Sequence, residues 1–165
     1  DHAPARLAAA LALVSERKGE AVVGLTRRAD HLTLHPGQIS FPGGHIEPGE
    51  GPGEAALREG EEEIGLDRRW VEVAGFLPPA PTRSSGYLVW PLVATVGRPD
   101  HPWRPQPSEV AEFFWAPLAP FADPSFRGVR RDLLPGETEP RPAVHIEGRE
   151  VWGFTLGVID RLLNA

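Results

Sequence analysis

The sequence has 165 residues, 41% of them hydrophobic, and a formal net charge of −6 at pH 7. Cysteine is absent, which excludes disulfides and thiol catalysis and favours a cytoplasmic location. The lack of a basic excess argues against binding to duplex nucleic acid, and no apolar run reaches the roughly 20 residues of a membrane helix. This composition predicts one globular domain over residues 1–165 with a sizeable buried core.

Two apolar segments near the N-terminus predict a β-hairpin. Residues 7–14 form the longest apolar run, which is too short for a membrane helix and suits a buried strand. Residues 20–28 form the second strand, after a turn at residues 16–19.

A group of cations follows the second strand and predicts an anion site. Arg27, Arg28, His31 and His35 are expected to face the acidic segment that comes next, across a rigid turn at residues 41–44. In the alternative interpretation, two arginines at a strand end are ordinary solubilising charges, and a single histidine is more often structural.

Residues 44–66 hold the whole charge imbalance of the chain, with seven acidic side chains against one arginine. Pro52 in a first helical turn and Gly65 as a terminator predict a helix of about three turns that reaches Glu63. Three carboxylates in this helix are spaced by three and four residues and share one face. They belong to Glu59, Glu62 and Glu63. Such faces are usually only solvated, but this concentration of charge favours a bound divalent cation.

The opposite face of the predicted helix is a narrow apolar stripe that can lie against a sheet. It consists of Ala56, Leu57, Gly60 and Ile64. Glycine inside a helix costs ~1 kcal/mol relative to alanine, so we expect the backbone at Gly60 to approach its neighbours closely. Arg58 is predicted to reach Glu54 and Glu62 at four-residue spacing.

The second half of the chain predicts shorter elements. Strands are expected at residues 70–77, 87–96 and 113–115, and a closing helix at residues 155–163. The prolines in the loop at residues 78–86 are expected to prevent regular pairing.

Residues 117–149 are broken by prolines and are predicted to be irregular. A loop of this length in a compact domain is usually functional or mobile. It contains Arg127, Arg130 and Arg131, which either contact an anionic ligand or are simply exposed to solvent.

The acidic segment resembles the Nudix box. The matching residues are Gly44, Glu50, Arg58-Glu59, Glu62-Glu63 and Gly65-Leu66, with five residues between the first two and seven between the next two. One position departs from the pattern, because Gly60 stands where the family prefers an aliphatic residue. This position lies on the packed face of the helix, away from the carboxylates.

The preceding stretch is similar to the extended motif that precedes the box in coenzyme A diphosphatases. The similarity is carried by Leu25-Thr26-Arg27-Arg28, Leu32, His35, Gly37-Gln38-Ile39 and Phe41-Pro42-Gly43-Gly44. Two positions depart from it. Thr33 replaces a residue that is usually basic, and Ala29 one that is often serine.

The resemblance implies an α+β fold, an α/β/α sandwich around a mixed β-sheet. It also implies Mg²⁺ or Mn²⁺ held by the three helix glutamates, with the carbonyl of Gly43 as a further ligand. The implied reaction splits coenzyme A at its diphosphate into 4'-phosphopantetheine and 3',5'-ADP. The alternatives are hydrolysis of ADP-ribose or another nucleoside diphosphate derivative, and a catalytically silent binding module, which the intact glutamate set argues against.

The resemblance assigns roles to individual residues. The catalytic set is Glu62, Glu63, Arg58 and Glu109, and the general base is either a box glutamate or Glu109 or Glu112 from a loop. The substrate-binding set is Arg27, Arg28, His35, Gln38, Gly43 and Gly44, while the arginines at 127, 130 and 131 could meet the 3'-phosphate of coenzyme A. The expected partner is this small-molecule substrate, without nucleic acid or membrane, and no oligomeric state is predicted.

Overall fold

The N-terminal hairpin consists of β1 (Arg6–Arg17) and β2 (Glu20–Arg28). The structure is a computed structural model and describes residues 6–82 and 86–165. Lys18 and Gly19 form the turn with φ angles of 52° and 80°. Two positive φ angles match the right-handed twist of paired strands, so the turn needs only two residues. β1 is therefore longer than the predicted 7–14, whereas β2 has the predicted bounds.

The hairpin belongs to an eight-stranded mixed sheet with β1 near its centre. β1 pairs in parallel with β7 (Tyr87–Val96) and antiparallel with β2, whose other side pairs with β8 (Val110–Pro117). β5 (Val71–Phe76) lies beyond β7. The remaining short strands are β3 (Ile39–Ser40), β4 (Gly43–His45) and β6 (Ala80–Pro81).

Alternate residues of β1 face two separate apolar cores. Ala9, Leu11 and Leu13 pack toward α1 (Pro52–Ile64). The even-numbered alanines of the strand pack on the other side, in the core that also contains Ile159 of α3 (Gly153–Leu163). Helices therefore cover both faces of the mixed sheet, which confirms the predicted sandwich.

The second face also carries a small sheet that was not predicted. Its strands are β9 (Arg127–Val129), β10 (Pro142–Ile146) and β11 (Arg149–Trp152), and the short helix α2 (Ala119–Ala122) precedes them. The prediction that residues 117–149 are irregular is therefore wrong. The strands are three to five residues long, too short to show the alternation by which a strand is recognised, and prolines interrupt the segment between β9 and β10.

The prediction that the prolines at residues 78–81 prevent strand pairing is wrong. Ala80 and Pro81 pair with Val89 and Leu88 of β7. Proline is compatible with an edge strand, because the hydrogen bond it cannot donate is not needed there. The rest of the predicted loop includes residues 83–85, which lie outside the described residues.

A 3₁₀ turn (Arg68–Trp70) precedes β5, so the strand predicted at residues 70–77 begins one residue later. The closing helix begins at Gly153, two residues before the prediction. Across residues 6–82 and 86–165, no helix combines the length and the apolar character needed to cross a membrane.

Candidate active site

Helix α1 presents its carboxylates because its other side is fixed in the core. It begins at Pro52 and ends at Ile64, where Gly65 adopts a φ of 69° and donates its N–H to the carbonyl of Glu61 at 3.2 Å. The buried face consists of Ala55, Ala56, Gly60 and Ile64. Leu57 is only partly buried, so the predicted stripe is correct except that Ala55 takes the place of Leu57.

The glycine at position 60 allows the helix to approach β1 closely. A Cβ atom there would lie 2.7 Å from Cδ2 of Leu11 and 3.1 Å from Cδ2 of Leu66. Both leucines belong to the core between helix and sheet. This contact confirms the predicted close approach at Gly60.

The glycine turn before the helix lies between β1 and the carboxylates. The N–H of Leu11 donates to the carbonyl of Pro42 at 2.7 Å, which fixes the start of the turn. A Cβ at Gly43 would collide with the carbonyl oxygen of Ala9, and a Cβ at Gly44 would lie 2.5 Å from Oε1 of Glu59. The backbone of β1 leaves no room for a side chain at Gly43, and a side chain at Gly44 would displace the Glu59 carboxylate, so the turn lies directly against the acidic face of α1.

Glu63 is the most perturbed carboxyl group of the site. Its Oε2 accepts a hydrogen bond from the N–H of Gly43 at 2.8 Å. Burial raises the pKa of Glu63 to about 8, and the charges of Glu59 and Glu109 add to the rise. The Gly43 hydrogen bond and the charge of Arg28 act in the opposite direction. A buried acid beside two other acids is therefore held here without a full neutralising partner.

Glu59 shares this environment. Its side chain is 15% exposed, and its pKa is raised first by burial and then by the charges of Glu62 and Glu109, against the opposing effect of Arg58. Glu62, in contrast, is 58% exposed and contacts Arg58 at 3.2 Å. The three helix carboxylates lie on one side of α1 as predicted, but to different depths.

Arg58 holds the acidic face in position. It forms a bidentate ion pair with Glu50, at 2.7 and 3.0 Å, and donates to the carbonyl of His45 at 3.0 Å. Its remaining nitrogen, Nη1, contacts Glu59 at 3.1 Å and also reaches Glu62. The hydrogen bond from Arg58 is the main reason that the pKa of Glu50 is lowered. The guanidinium thus bridges the loop before the helix and the helix itself.

The predicted contact between Arg58 and Glu54 is wrong, while the contact with Glu62 is confirmed. Glu54 instead pairs with Arg68 at 3.1 Å. Arg58 extends toward the 43–50 segment rather than along the helix axis, because Glu50 offers both carboxylate oxygens there. Sequence reasoning missed Glu50 as the partner of Arg58, although their fixed spacing in the motif was the available signal.

The two consecutive arginines of β2 reach different parts of the molecule. Arg28 donates from Nε to the carbonyl of Leu34 at 2.6 Å, and its charge acts on Glu63. Arg27 pairs with Asp30 at 2.9 Å and with Glu112 at 3.6 Å. The prediction that both face the acidic helix is therefore correct only for Arg28.

The predicted substrate-binding residues divide in the same way. Gly43 and Gly44 lie beside the helix carboxylates with Arg28, as described above. Arg27, His35 and Gln38 line a separate groove of about 390 Å³ that continues along β11. His31 is in neither group, because its Nε2 lies 3.2 Å from the carbonyl of Ser108.

The two candidate bases on the loop and strand also differ. Glu109 accepts from the N–H of Ala29 through its backbone carbonyl, and its charge acts on both Glu59 and Glu63. Glu112 is bound by Arg149 at 3.0 and 3.2 Å, which lowers its pKa. Of these two groups, Glu109 is the one positioned near the acidic face.

Within the described parts of the chain, no three acidic or histidine side chains converge on one point at metal-ligand distance. The carboxylate oxygens of α1 are instead bonded to Arg58 and to the N–H of Gly43. Small rotations of these side chains would be needed to bring three oxygens together.

Comparison with known proteins identifies the family. The NUDIX domain model matches residues 5–136. The uncharacterized Nudix hydrolase NudL of Escherichia coli K12 is 37% identical over 139 residues, which cover 84% of this chain and 71% of that protein. Among solved structures, the Nudix hydrolase RenU of M. smegmatis is 27% identical with a TM-score of 0.61, covering 71% of this chain and 73% of that one.

More distant structures agree in fold. An Ap4A hydrolase of C. elegans is 22% identical, with a TM-score of 0.57 over 69% of this chain and 81% of that one. The NUDIX domain of NrtR from Shewanella oneidensis, solved with ADP ribose, is 20% identical, with a TM-score of 0.54 over 72% and 76% of the two chains. The spacing of the box is intact, the family model matches most of the chain, and one relative is 37% identical. The chain therefore belongs to the Nudix hydrolase family and is a pyrophosphohydrolase of nucleoside diphosphate derivatives.

Proposed function

We propose that this enzyme hydrolyses the diphosphate bond of coenzyme A to give 4'-phosphopantetheine and 3',5'-ADP. The observation that carries the proposal is the placement of Arg27 and Arg28 at the end of β2. The charge of Arg28 acts on Glu63 in the acidic face of α1, and Arg27 lines the groove. Coenzyme A has a diphosphate at its centre and large groups on both sides, so it suits an acidic face that holds the reacting bond and a neighbouring groove that holds one of the flanking groups.

The donor set suits Mg²⁺ or Mn²⁺. Glu59, Glu62 and Glu63 offer carboxylate oxygens and Gly43 a backbone carbonyl, which are the hard ligands that both ions prefer. The raised pKa of Glu63 fits the same role, because a cation would supply the charge that this buried acid lacks. A bound metal neutralises diphosphate charge and lowers the pKa of an attacking water.

The residues around the donor set have separate tasks in this proposal. Arg58 orients Glu59 while it remains bound to Glu50, and the N–H of Gly43 orients Glu63. Arg28 binds a phosphate oxygen through its nitrogens other than Nε, which is bonded to Leu34. Glu109 accepts the proton of the attacking water, since it lies near the acidic face and has an exposed side chain.

Mass analysis of the products tests the proposal. The enzyme is incubated with coenzyme A, ADP-ribose and Ap4A, each with Mg²⁺ or Mn²⁺, with the Glu63→Gln variant as the matched control. We expect cleavage of coenzyme A to the two named products, with the highest kcat/KM of the three substrates. Equal or higher efficiency on ADP-ribose would instead assign the enzyme to a broader class of nucleoside diphosphate derivatives.

A further inference from the structure

The groove beside Arg27 is built from two distant parts of the chain. One wall is the segment from His35 to Ile39, and the other is β11, which contributes Arg149 and Trp152. Arg130 enters the groove from the end of β9, where its N–H bonds the carbonyl of Arg141 at 2.8 Å. The groove therefore contains three guanidinium groups.

Two of these guanidinium groups already have close partners. Arg149 bonds both oxygens of Glu112, and Arg27 is 2.9 Å from Asp30. Arg130 differs from them. Its side chain is only 10% exposed and packs on the ring of Trp152, with Cζ 4.0 Å from the ring centroid. Its buried Nε and Nη1 make no hydrogen bond within the described residues.

Two glutamates form long ion pairs with Arg130 but do not satisfy its donors. Glu150 and Glu137 approach it only to 3.7 and 3.8 Å, beyond hydrogen-bond distance. Oε2 of Glu150 accepts from the N–H of Arg131 at 2.9 Å, and Oε2 of Glu137 accepts from the N–H of Leu134 at 2.8 Å. A buried guanidinium with unsatisfied donors is costly unless an acceptor arrives. The planar fork of arginine matches two oxygens of a phosphate.

We propose that this groove binds a second, unreactive phosphate monoester of the substrate, with Arg130 as its principal contact. The proposal rests on the proposed function for the identity of that group, which in coenzyme A is the 3'-phosphate. The reacting diphosphate belongs beside Arg28, and the groove begins at Arg27, the adjacent residue. The groove thus selects substrates whose nucleotide half carries an additional phosphate.

Only one of the three arginines expected from the sequence to meet this phosphate lines the groove. Arg127 is bound to Asp160, with a shortest distance of 2.5 Å, and to the carbonyl of Phe121 at 2.6 Å. The side chain of Arg131 is exposed and does not line the groove. Arg131→Gln therefore removes the same charge at a neighbouring position outside the groove and serves as a matched control.

Calorimetric titration without metal tests the binding step. In EDTA, we expect wild-type protein to bind 3',5'-ADP about tenfold more tightly than 5'-AMP, as for one added charge-assisted contact. Arg130→Gln should reduce this preference to about twofold or less without changing the affinity for 5'-AMP, whereas Arg131→Gln should keep it. Arg130→Lys, which retains the charge but not the fork, should give an intermediate preference. Thermal melting verifies that each variant is folded.

Equal affinities of the wild type for the two nucleotides would overturn the proposal, and this comparison needs no variant. Full preference in a folded Arg130→Gln protein would also overturn it. Kinetics with coenzyme A and dephospho-coenzyme A separate this proposal from the proposed function. Equal cleavage of both would refute the groove assignment and leave the activity intact. No cleavage of either, with a preserved preference for 3',5'-ADP, would refute the activity and leave the groove assignment intact.

Discussion

The acidic face of α1 and the groove next to β11 balance their charges in opposite ways. On α1, carboxylates accumulate around a single arginine, and burial raises the pKa values of Glu59 and Glu63. Around the groove, arginines form ion pairs with neighbouring acids, and Arg149 lowers the pKa of Glu112. The acidic face lacks the positive charge that would neutralise its carboxylates, and the groove has hydrogen-bond donors for an anion. A substrate with a metal-bound diphosphate beside α1 and a further phosphate in the groove would satisfy both.

The largest effect is expected from removal of charge at the acidic face. Glu63→Gln should lower kcat by at least about a thousandfold, because it removes a ligand oxygen that the metal requires. In EDTA above about pH 8, where Glu63 is ionised, thermal stability should be unchanged or raised, since the substitution relieves repulsion with Glu59 and Glu109. Steady-state kinetics and melting curves measure both quantities. A Glu63→Gln enzyme with near wild-type turnover would contradict the assignment of the metal ligands.

The next largest effect on kcat is expected at Glu109, and Glu112, which is bound to an arginine, serves for comparison. Glu109→Gln should lower kcat by about a hundredfold, as for loss of a general base. Glu112→Gln should change kcat by less than about threefold, because this carboxylate is committed to Arg149. The contrast is read from kcat measured between pH 6 and 10. Similar losses in both variants would remove Glu109 from the role of base.

Arg28→Ala should cost about 1.5–3 kcal/mol in kcat/KM, the usual range for a hydrogen bond to a charged group. Arg28→Lys should recover part of this loss by restoring the charge, without the hydrogen bond of Nε to Leu34. Kinetics at saturating Mg²⁺ measure the difference. If neither variant loses efficiency, Arg28 only fixes the loop and does not contact the substrate.

The raised pKa of Glu63 predicts a pH dependence of stability in metal-free protein. A carboxyl group whose folded pKa is about 8 and whose ordinary value is 4.5 stays protonated in the folded state and ionises on unfolding. Its contribution to stability is therefore complete below about pH 4.5 and is lost as the pH rises to about 8. In EDTA, the melting temperature of the wild type should fall over this interval relative to that of Glu63→Gln.

Added Mg²⁺ provides the complementary measurement. At pH 8 it should raise the melting temperature of the wild type more than that of Glu63→Gln, because binding to the folded state stabilises it. If Mg²⁺ and pH shift the melting temperatures of the two proteins equally, Glu63 contributes neither to Mg²⁺ binding nor to the pH dependence of stability.

The smallest effect concerns packing beneath the acidic face. Gly60→Ala adds a methyl group 2.7 Å from Leu11, and the strain should outweigh the helix-propensity gain of ~1 kcal/mol. We expect a net loss of about 1 kcal/mol of unfolding free energy in urea titration. Gly53→Ala is the matched control in the same helix, because its added Cβ would lie 3.5 Å from Phe76, an ordinary contact. Gly60→Ala as stable as Gly53→Ala would contradict the close approach.

The sequence predicted α1 and its surroundings well because the relevant interactions are local. Helix spacing alone placed Glu59, Glu62 and Glu63 on one face, and Pro52 and Gly65 marked its ends. The error within this region came from Arg58. Local spacing favoured Glu54 as its partner, but the chain before the helix folds back and brings Glu50 closer.

The groove was only partly predictable because it is assembled from segments far apart in the chain. Arg27 and Gln38 come from the N-terminal half, whereas Arg130 and Trp152 come from a sheet whose strands were not recognised. Pairing between such short strands is decided by tertiary contacts rather than by local propensity. For Arg27 and Arg28 a signal did exist, because neighbouring residues of the predicted strand at 20–28 point to opposite faces.

The buried alanines of β1 limit which substitutions the catalytic region tolerates. Ala8, Ala9, Ala10 and Ala12 are buried on the two faces of the central strand, and the glycine turn lies directly against Ala9 and Ala10. Apart from glycine, every substitution at these positions adds volume, and added volume in a packed core displaces its neighbours. A substitution along this strand would therefore move the turn and the glutamates behind it, so tolerated changes in the catalytic region should fall outside β1.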